Sequence, residues 1–428
     1  MIEKLKTAAL TLLVLLSLVQ SYLLAYSYPQ PEQPLIQEEY VKPELLGTQA
    51  TLDDMLFPDH IVIHLGEGQH TVVYAHNSPY AEVLQTVKQR YLEGFRKTNM
   101  SSLSINWDEV RNKQPGVELR FRDGLPLTVL QQLLQIKGEL PPEHDVITKI
   151  WIFAEDSSRV RTLLFTDTYN VVYEAKADFT TKDIEERFVS AAGSYMAYKP
   201  TLNDMYIPQK SYPMPSYTLG YTLMTVDQLK RTFFVDPALI RNLTERDGSE
   251  IYTDSKRGLQ LKSGQHWMTY SDPVAPASDN RVNYLGNLLT AVQFINQHGG
   301  WNGAYGVQRM PERLLPGNQT YVFRQYYGSY PIVGTRDEQV GYMRITLQKD
   351  VVSGYERSTV LPDWKSVKRG EAELPGGELL EAMLQQYSKR LQIVSLFPAY
   401  RPFLSDKTME LVPKWAVELY DGTYEFLN

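Results

Sequence analysis

Four of the chain's seven histidines, His60, His64, His70 and His76, fall in one short stretch. Imidazole is a good ligand for zinc or copper, so metal binding is the first chemistry to test. The stretch HIVIHLGEGQHTVVYAH alternates polar and apolar residues on both sides of Gly66-Glu67-Gly68, which predicts a β-hairpin. In a strand, His60 and His64 share a face with Val62 between them, too far apart for easy chelation. Folding of the hairpin could bring His70 opposite His64. No HExxH motif and no carboxylate at ligand spacing accompanies them. The pattern reads as ordinary strand histidines, and no metal or cofactor is expected.

Other chemistry is thinner still. Gly66-Glu67-Gly68 lacks the third glycine and the Lys-Ser/Thr of a phosphate loop, and it sits in a hairpin rather than opening a helix. Asp53-Asp54 and Glu185-Glu186 are sequence neighbours, which need not face each other as an acid/base pair. There is no GxSxG or SxxK motif, and with 0 cysteines thiol catalysis, disulfides and Cys-based metal sites are impossible. No catalytic residue is expected. The alternatives are a cell-surface binding module or a wall-polymer enzyme with an unrecognised site.

The elements that position whatever work the chain does begin at the N-terminus. After Lys4 and Lys6 no charged side chain appears until Glu32, and Thr7 to Tyr26 is mainly apolar. A helix of about 20 residues spans roughly 30 Å, the thickness of a bilayer's hydrocarbon core. The expectation is a cytoplasmic tail (1–6), a transmembrane helix (7–26) and a proline-rich linker (27–50), with the bulk of the chain outside the cell membrane by the positive-inside rule. A cleaved signal peptide, with Ala25 and Ser27 forming one small-x-small site, is the competing reading; the apolar run exceeds the usual length of a signal core, and Tyr26 is bulky. Ser17, Gln20 and Ser21 fall at i, i+3 and i+4 of the expected helix and so line one side. Small residues and glutamine there are candidates for contact with a partner's transmembrane helix. A formal net charge of −7 argues against nucleic acid as a partner.

The remainder reads as α+β and mainly antiparallel, in three units: 51–198, 199–274 and 275–428. The first holds the hairpin, a helical stripe of Val83, Leu84, Val87, Tyr91 and Phe95, a strand at 117–124, a short helix over 127–136, and three strands within 149–178. TLDDMLFP (51–58) recurs as TLNDMYIP (201–208), which suggests that each copy opens a unit. In the last unit a helix over 284–297 is followed by strands at 320–327, 340–347 and 355–361. A second helix, carrying Leu379 to Leu391, is followed by strands at 393–400, 411–420 and 423–427, the last two joined by Asp421-Gly422. The order α-β-β-β thus occurs twice, and a helix laid on a small antiparallel sheet buries both apolar faces.

The lysine-flanked anchor, FFVDPALIRN (233–242), YTDSKRGLQL (252–261), WMTYSDP (267–273) and LVPKWAVEL (411–419) together resemble the YycH family, the extracytoplasmic regulators of the WalK (YycG) sensor histidine kinase. The resemblance runs the whole length in order. It implies a three-domain extracytoplasmic protein that acts with a YycI-type partner on the kinase, and through it on cell-wall metabolism. It supplies no catalytic residues. The paired α-β-β-β units are similar to the PepSY-type domains of the partner family. Ser255 departs from the pattern, standing where a Thr-Asp-Gly turn would carry glycine; Asp254 is expected to support the turn through its side chain.

Overall fold

The computed structural model describes residues 4, 6, 10, 12–20 and 46–427, apart from stretches at 142–144, 193–194, 202, 274–282, 311–318, 335–339 and 349. The chain divides into two compact units, Met1–Lys42 and Pro43–Asn428. In the first, residues 12–20 are helical and exposed. Among the described residues no helix is long and apolar enough to cross a membrane. Much of the expected span, including Ser21, lies outside the described residues.

The second unit is a mixed α+β fold built on three large sheets. The N-terminal sheet has ten strands, and its sequence between His60 and Pro208 is closed by the short edge pair Tyr198–Pro200 and Tyr206–Pro208. Its centre is His60–Gly66, Gly116–Pro126 and Val146–Ala154, paired antiparallel and rich in β-branched and aromatic residues. The hairpin joining His60–Gly66 to Gln69–Tyr74 turns at Glu67-Gly68, both at positive φ, in keeping with its sequence signal. One departure from the antiparallel rule is Tyr91–Asn99 beside Gln135–Lys137, which pair parallel.

The helix expected over 127–136 runs only Leu127–Leu130, with Gln135–Lys137 a strand, and two others are also shorter than their apolar periodicity suggests. The first spans Ser78–Lys88, capped by Asn77, and stops before Tyr91. Tyr91 and Phe95 instead belong to a strand that pairs with Val171–Ala177, with a bulge around Gly94 at φ +66°. Val, Tyr and Phe at i and i+4 fit a helix face, yet sheet pairing captured the aromatic end. The second, expected to reach Leu391, runs Gly377–Gln386; a separate 3-10 turn follows, and Leu391 is 90% exposed. The two copies of the octapeptide also differ. Leu52–Asp54 is a 3-10 turn whose Asp54 carboxylate accepts from Thr51 N at 2.9 Å, and Leu56–Pro58 is not a strand, whereas the matching Tyr206–Pro208 is one.

Sheet pairing crosses the division expected at residue 274. Trp267–Ser271 pairs antiparallel with Val351–Ser358, so strands from 241 to 358 form one nine-stranded central sheet. Helix Tyr284–Gln297 lies against it through Leu288, Val292 and Ile295. The strand Ser216–Leu223 leaves the expected middle unit to join the C-terminal sheet, pairing with Thr408–Leu419 and Val360–Pro362. The central sheet is therefore nested between the first strand of the C-terminal sheet and the rest of it. Helix Gly377–Gln386 covers that sheet, with Leu380 fully buried beside Met409, Leu411 and Trp415.

The entry to this helix depends on a glycine. A β-carbon at Gly376 would run into the backbone carbonyl of Lys210. Gly376→Ala is therefore expected to force the two segments apart at a cost of about 1–3 kcal/mol, the range for overpacking. Thermal unfolding would measure it; an unchanged melting temperature would show that the segments shift freely.

Candidate functional site

The hairpin register sets His64 directly opposite His70. Their Nδ1 atoms lie 2.9 Å apart, and His64 Nε2 is 3.1 Å from Glu118 Oε1 on the adjacent strand. The carboxylate requires a proton on His64 Nε2. With one proton per ring, His64 Nδ1 must accept from His70 Nδ1, which leaves His70 Nε2 bare. That nitrogen has no hydrogen-bond partner among the described residues. Burial, and then His64, pushes the His70 pKa down to about 4, so this ring is neutral at pH 7.

Glu118 in turn is fully buried and answered by cations. Arg120 Nε donates to its Oε2 at 2.7 Å, and Lys149 Nζ stands 3.9 Å away. Burial works against its ionised form, but Arg120, Lys149 and His64 outweigh it and hold the carboxyl well below its usual range. Asp204 closes the network from the 201–208 segment: it accepts from Lys149 Nζ at 3.0 Å and from Arg111 Nη2 at 2.8 Å. The network thus ties helix Trp107–Lys113, four strands and the second octapeptide copy together. His60 and His76 are elsewhere, beside Tyr74 and edge-on to Phe57. The four histidines do not converge, because alternation and register bring only His64 and His70 together. No group of three or more acidic, His or Cys ligands among the described residues could hold a metal. With His64, His70 and Glu118 sealed from solvent, the arrangement is a structural pin, with no room for a reacting molecule.

Two open clefts are better placed to meet another molecule. The larger, about 730 Å³, lies between Trp107–Lys113, the 199–207 segment and helix Gly377–Gln386. Lys199 pairs with Glu381 in it, and the 90%-exposed Leu391 stands at its margin. The smaller, about 550 Å³, gathers one side chain from each large sheet: Asp123, Arg309 and Glu418. Arg309 Nη2 stands 3.8 Å from Asp123 and 3.9 Å from Glu418. Tyr424 donates to Glu418 Oε1 at 3.1 Å. Burial, then the nearby Asp123 charge, raises the Glu418 pKa to about 7. Burial likewise raises Asp123. Alternation in VELRFRDG does place Glu118 and Arg120 on one face, which was a legible hint of a buried charge; nothing in the sequence linked Asp123 to Arg309 or Glu418.

Residues 202–427 match the description "YycH protein, C-terminal domain", and residues 3–191 match "YycH protein, N-terminal domain". The chain belongs to the YycH family. The crystal structure of YycH from Bacillus subtilis superposes with a TM-score of 0.70 at 16% identity, covering 89% of this chain and 98% of that one. At that identity the likeness bears on the fold. No curated protein matches the chain.

The motifs that resemble the YycH family now have places. WMTYSDP contributes a central strand with Trp267 and Met268 buried, and LVPKWAVEL is the long strand Thr408–Leu419, whose Trp415 donates to Pro375 O at 2.7 Å. FFVDPALIRN leads into Arg241–Thr244, a strand exposed along its length. Ser255 adopts φ +79°, the conformation that favours glycine; Asp254 Oδ1 accepts from Lys256 N at 3.0 Å and Arg257 N at 2.6 Å, supporting the turn as expected. Of the candidate partner contacts, Ser17 and Gln20 are helical and exposed, and Ser21 lies outside the described residues.

Proposed function

We propose that this chain is a membrane-anchored, extracytoplasmic accessory protein that regulates a WalK-type (YycG) sensor histidine kinase, and with it cell-wall metabolism. It does so through protein–protein contacts with a YycI-type partner. Membership of the YycH family carries this reading, since the family suggests regulation of that kinase and is a regulatory family rather than an enzyme family. On this reading Thr7–Tyr26 spans the membrane once, the N-terminus stays in the cytoplasm, and Ser17, Gln20 and Ser21 face a partner helix. The two helix-and-sheet units are taken as PepSY-like, although the first departs from the expected α-β-β-β order by a further strand, Ala304–Arg309, directly after its helix. The helical stretch 12–20 supports an anchor, because Leu12, Leu13, Leu15, Leu16 and Val19 are each more than half exposed. In water such a surface is unfavourable by about 25 cal/mol per Å²; in lipid it is not.

Tethering confines the chain to two dimensions and raises its effective concentration beside a membrane kinase. To regulate, it must bind the kinase's signalling states with different affinity, since equal affinity shifts nothing. Co-purification from membranes tests the reading. The native chain is expected to retain the kinase and the YycI-type partner, and exchange of residues 1–27 for an unrelated anchor is expected to reduce kinase recovery. If neither form retains the kinase, the proposal is wrong.

A further inference from the structure

Cations and carboxylates are out of balance in the smaller cleft. Four carboxyl side chains line it, those of Asp123, Asp167, Glu418 and Asp421, against two guanidinium groups, Arg122 and Arg309. Arg122 is already committed: it sits 3.1 Å from Asp59 and 3.4 Å over the ring of Phe397. Arg309 is beyond hydrogen-bond reach of both acids it approaches, at 3.8 and 3.9 Å. A β-carbon at position 422 would collide with its guanidinium, so glycine there leaves room for it.

Two carboxyl oxygens are left over. Glu418 is 4% exposed, and among the described residues its Oε2 has no hydrogen-bond partner; Asp123 Oδ2 has none among them either. A buried carboxylate oxygen without a donor is costly, so a proton or a cation must answer it. The mouth of the cleft is apolar on one side, where Val394 is 55% and Tyr420 72% exposed. An acidic floor beneath an apolar lip is complementary to a long aliphatic stem ending in a positive charge.

We propose that this cleft receives a lysine or arginine side chain from the YycI-type partner, which answers the Glu418 and Asp123 carboxyls in place of a proton. The inference rests on the proposed function and gives that partner a place to dock. The groups facing Glu418 are Asp123 and Arg122 on Gly116–Pro126, Arg309 on Ala304–Arg309 and Tyr424 on the last strand, with Asp167 and Asp421 towards the mouth. Entry of a cation releases the proton held at neutral pH. Docking therefore strengthens as pH rises through 7.

The full chain, co-expressed with the YycI-type partner and captured from solubilised membranes, tests this. Wild type is expected to retain more partner at pH 8 than at pH 6, and Asp123→Asn/Glu418→Gln to retain about tenfold less than wild type at pH 8, with no pH dependence. Equal retention by wild type and variant overturns the inference and leaves the proposed function standing. Acetyl-lysine-amide supplies the second measurement. It is expected to raise the melting temperature of the wild-type full chain at pH 8 but not that of the variant, while acetyl-norleucine-amide raises neither. No shift with wild type overturns the cation site whatever the capture shows. A lysine-specific shift without any captured partner removes the partner from the inference and the proposed function together.

Discussion

Glu118→Ala is expected to lower the unfolding free energy by about 3–5 kcal/mol, the range for breaking one side of a buried ion pair. The reason is what remains behind. Arg120 and Lys149, whose side chains are each 14% exposed, lose their fully buried counter-charge, and His64 Nε2 loses its acceptor. Asp204 offsets only part of the loss: it stands 3.2 Å from Arg120 Nη2 and 3.0 Å from Lys149 Nζ, but it also accepts from Arg111 and its side chain is 41% exposed, so its charge is screened by water. Asp204→Ala is the useful contrast: its side chain is 41% exposed, water can replace it, and its removal should cost clearly less. Denaturant unfolding of the two variants beside wild type measures the difference. A loss below about 1 kcal/mol for Glu118→Ala would mean that the network relaxes around the gap and does not pin the sheet.

Glu418→Gln is expected to act in the opposite direction, and only at one end of the pH range. The folded protein raises this carboxyl from its ordinary 4.5 to about 7. An acid whose folded pKa is raised binds its proton more tightly in the native state. Its contribution to stability is fully present below pH 4.5 and is lost as pH climbs through 7. Above that point burying the charge costs on the order of 3 kcal/mol. Glutamine carries no charge at any pH and can still accept from Tyr424. The variant should therefore unfold at a higher temperature than wild type near pH 8 and at about the same temperature near pH 5. Parallel melting curves across the whole range would rule out a titrating Glu418 as the cause.

What could be read from the sequence follows from what is local. The hairpin at 60–76 was legible because alternation and a Gly-x-Gly turn are short-range signals, and the same holds for Val146–Ala154, Val160–Thr166 and Val171–Ala177. The stripe from Val83 to Phe95 misled because residues at i and i+4 also share one face of a strand; only pairing with Val171–Ala177 decides between them. The boundary drawn at 274 relied on order along the chain, while Trp267–Ser271 finds its neighbour at Val351–Ser358. Site residues divide in the same way. The opposition of His64 and His70 could be anticipated from the hairpin, and the acid that completes their network sits two residues from Arg120 in one visible motif. The meeting of Asp123, Arg309 and Glu418 depends on three sheets coming together, which no short-range pattern records.

The nesting of the central sheet has a consequence for how the molecule is made. A ribosome releases Ser216–Leu223 long before Thr408–Leu419, its antiparallel neighbour, exists. Until the last strands appear, that segment is an open edge, prone to pairing with the wrong chain. A protein cut anywhere between 363 and 407 would lack the closing strand and leave that edge permanently open. Nonsense alleles that spare everything upstream should therefore behave as complete losses, cleared as misfolded chains rather than surviving as shortened, partly working forms.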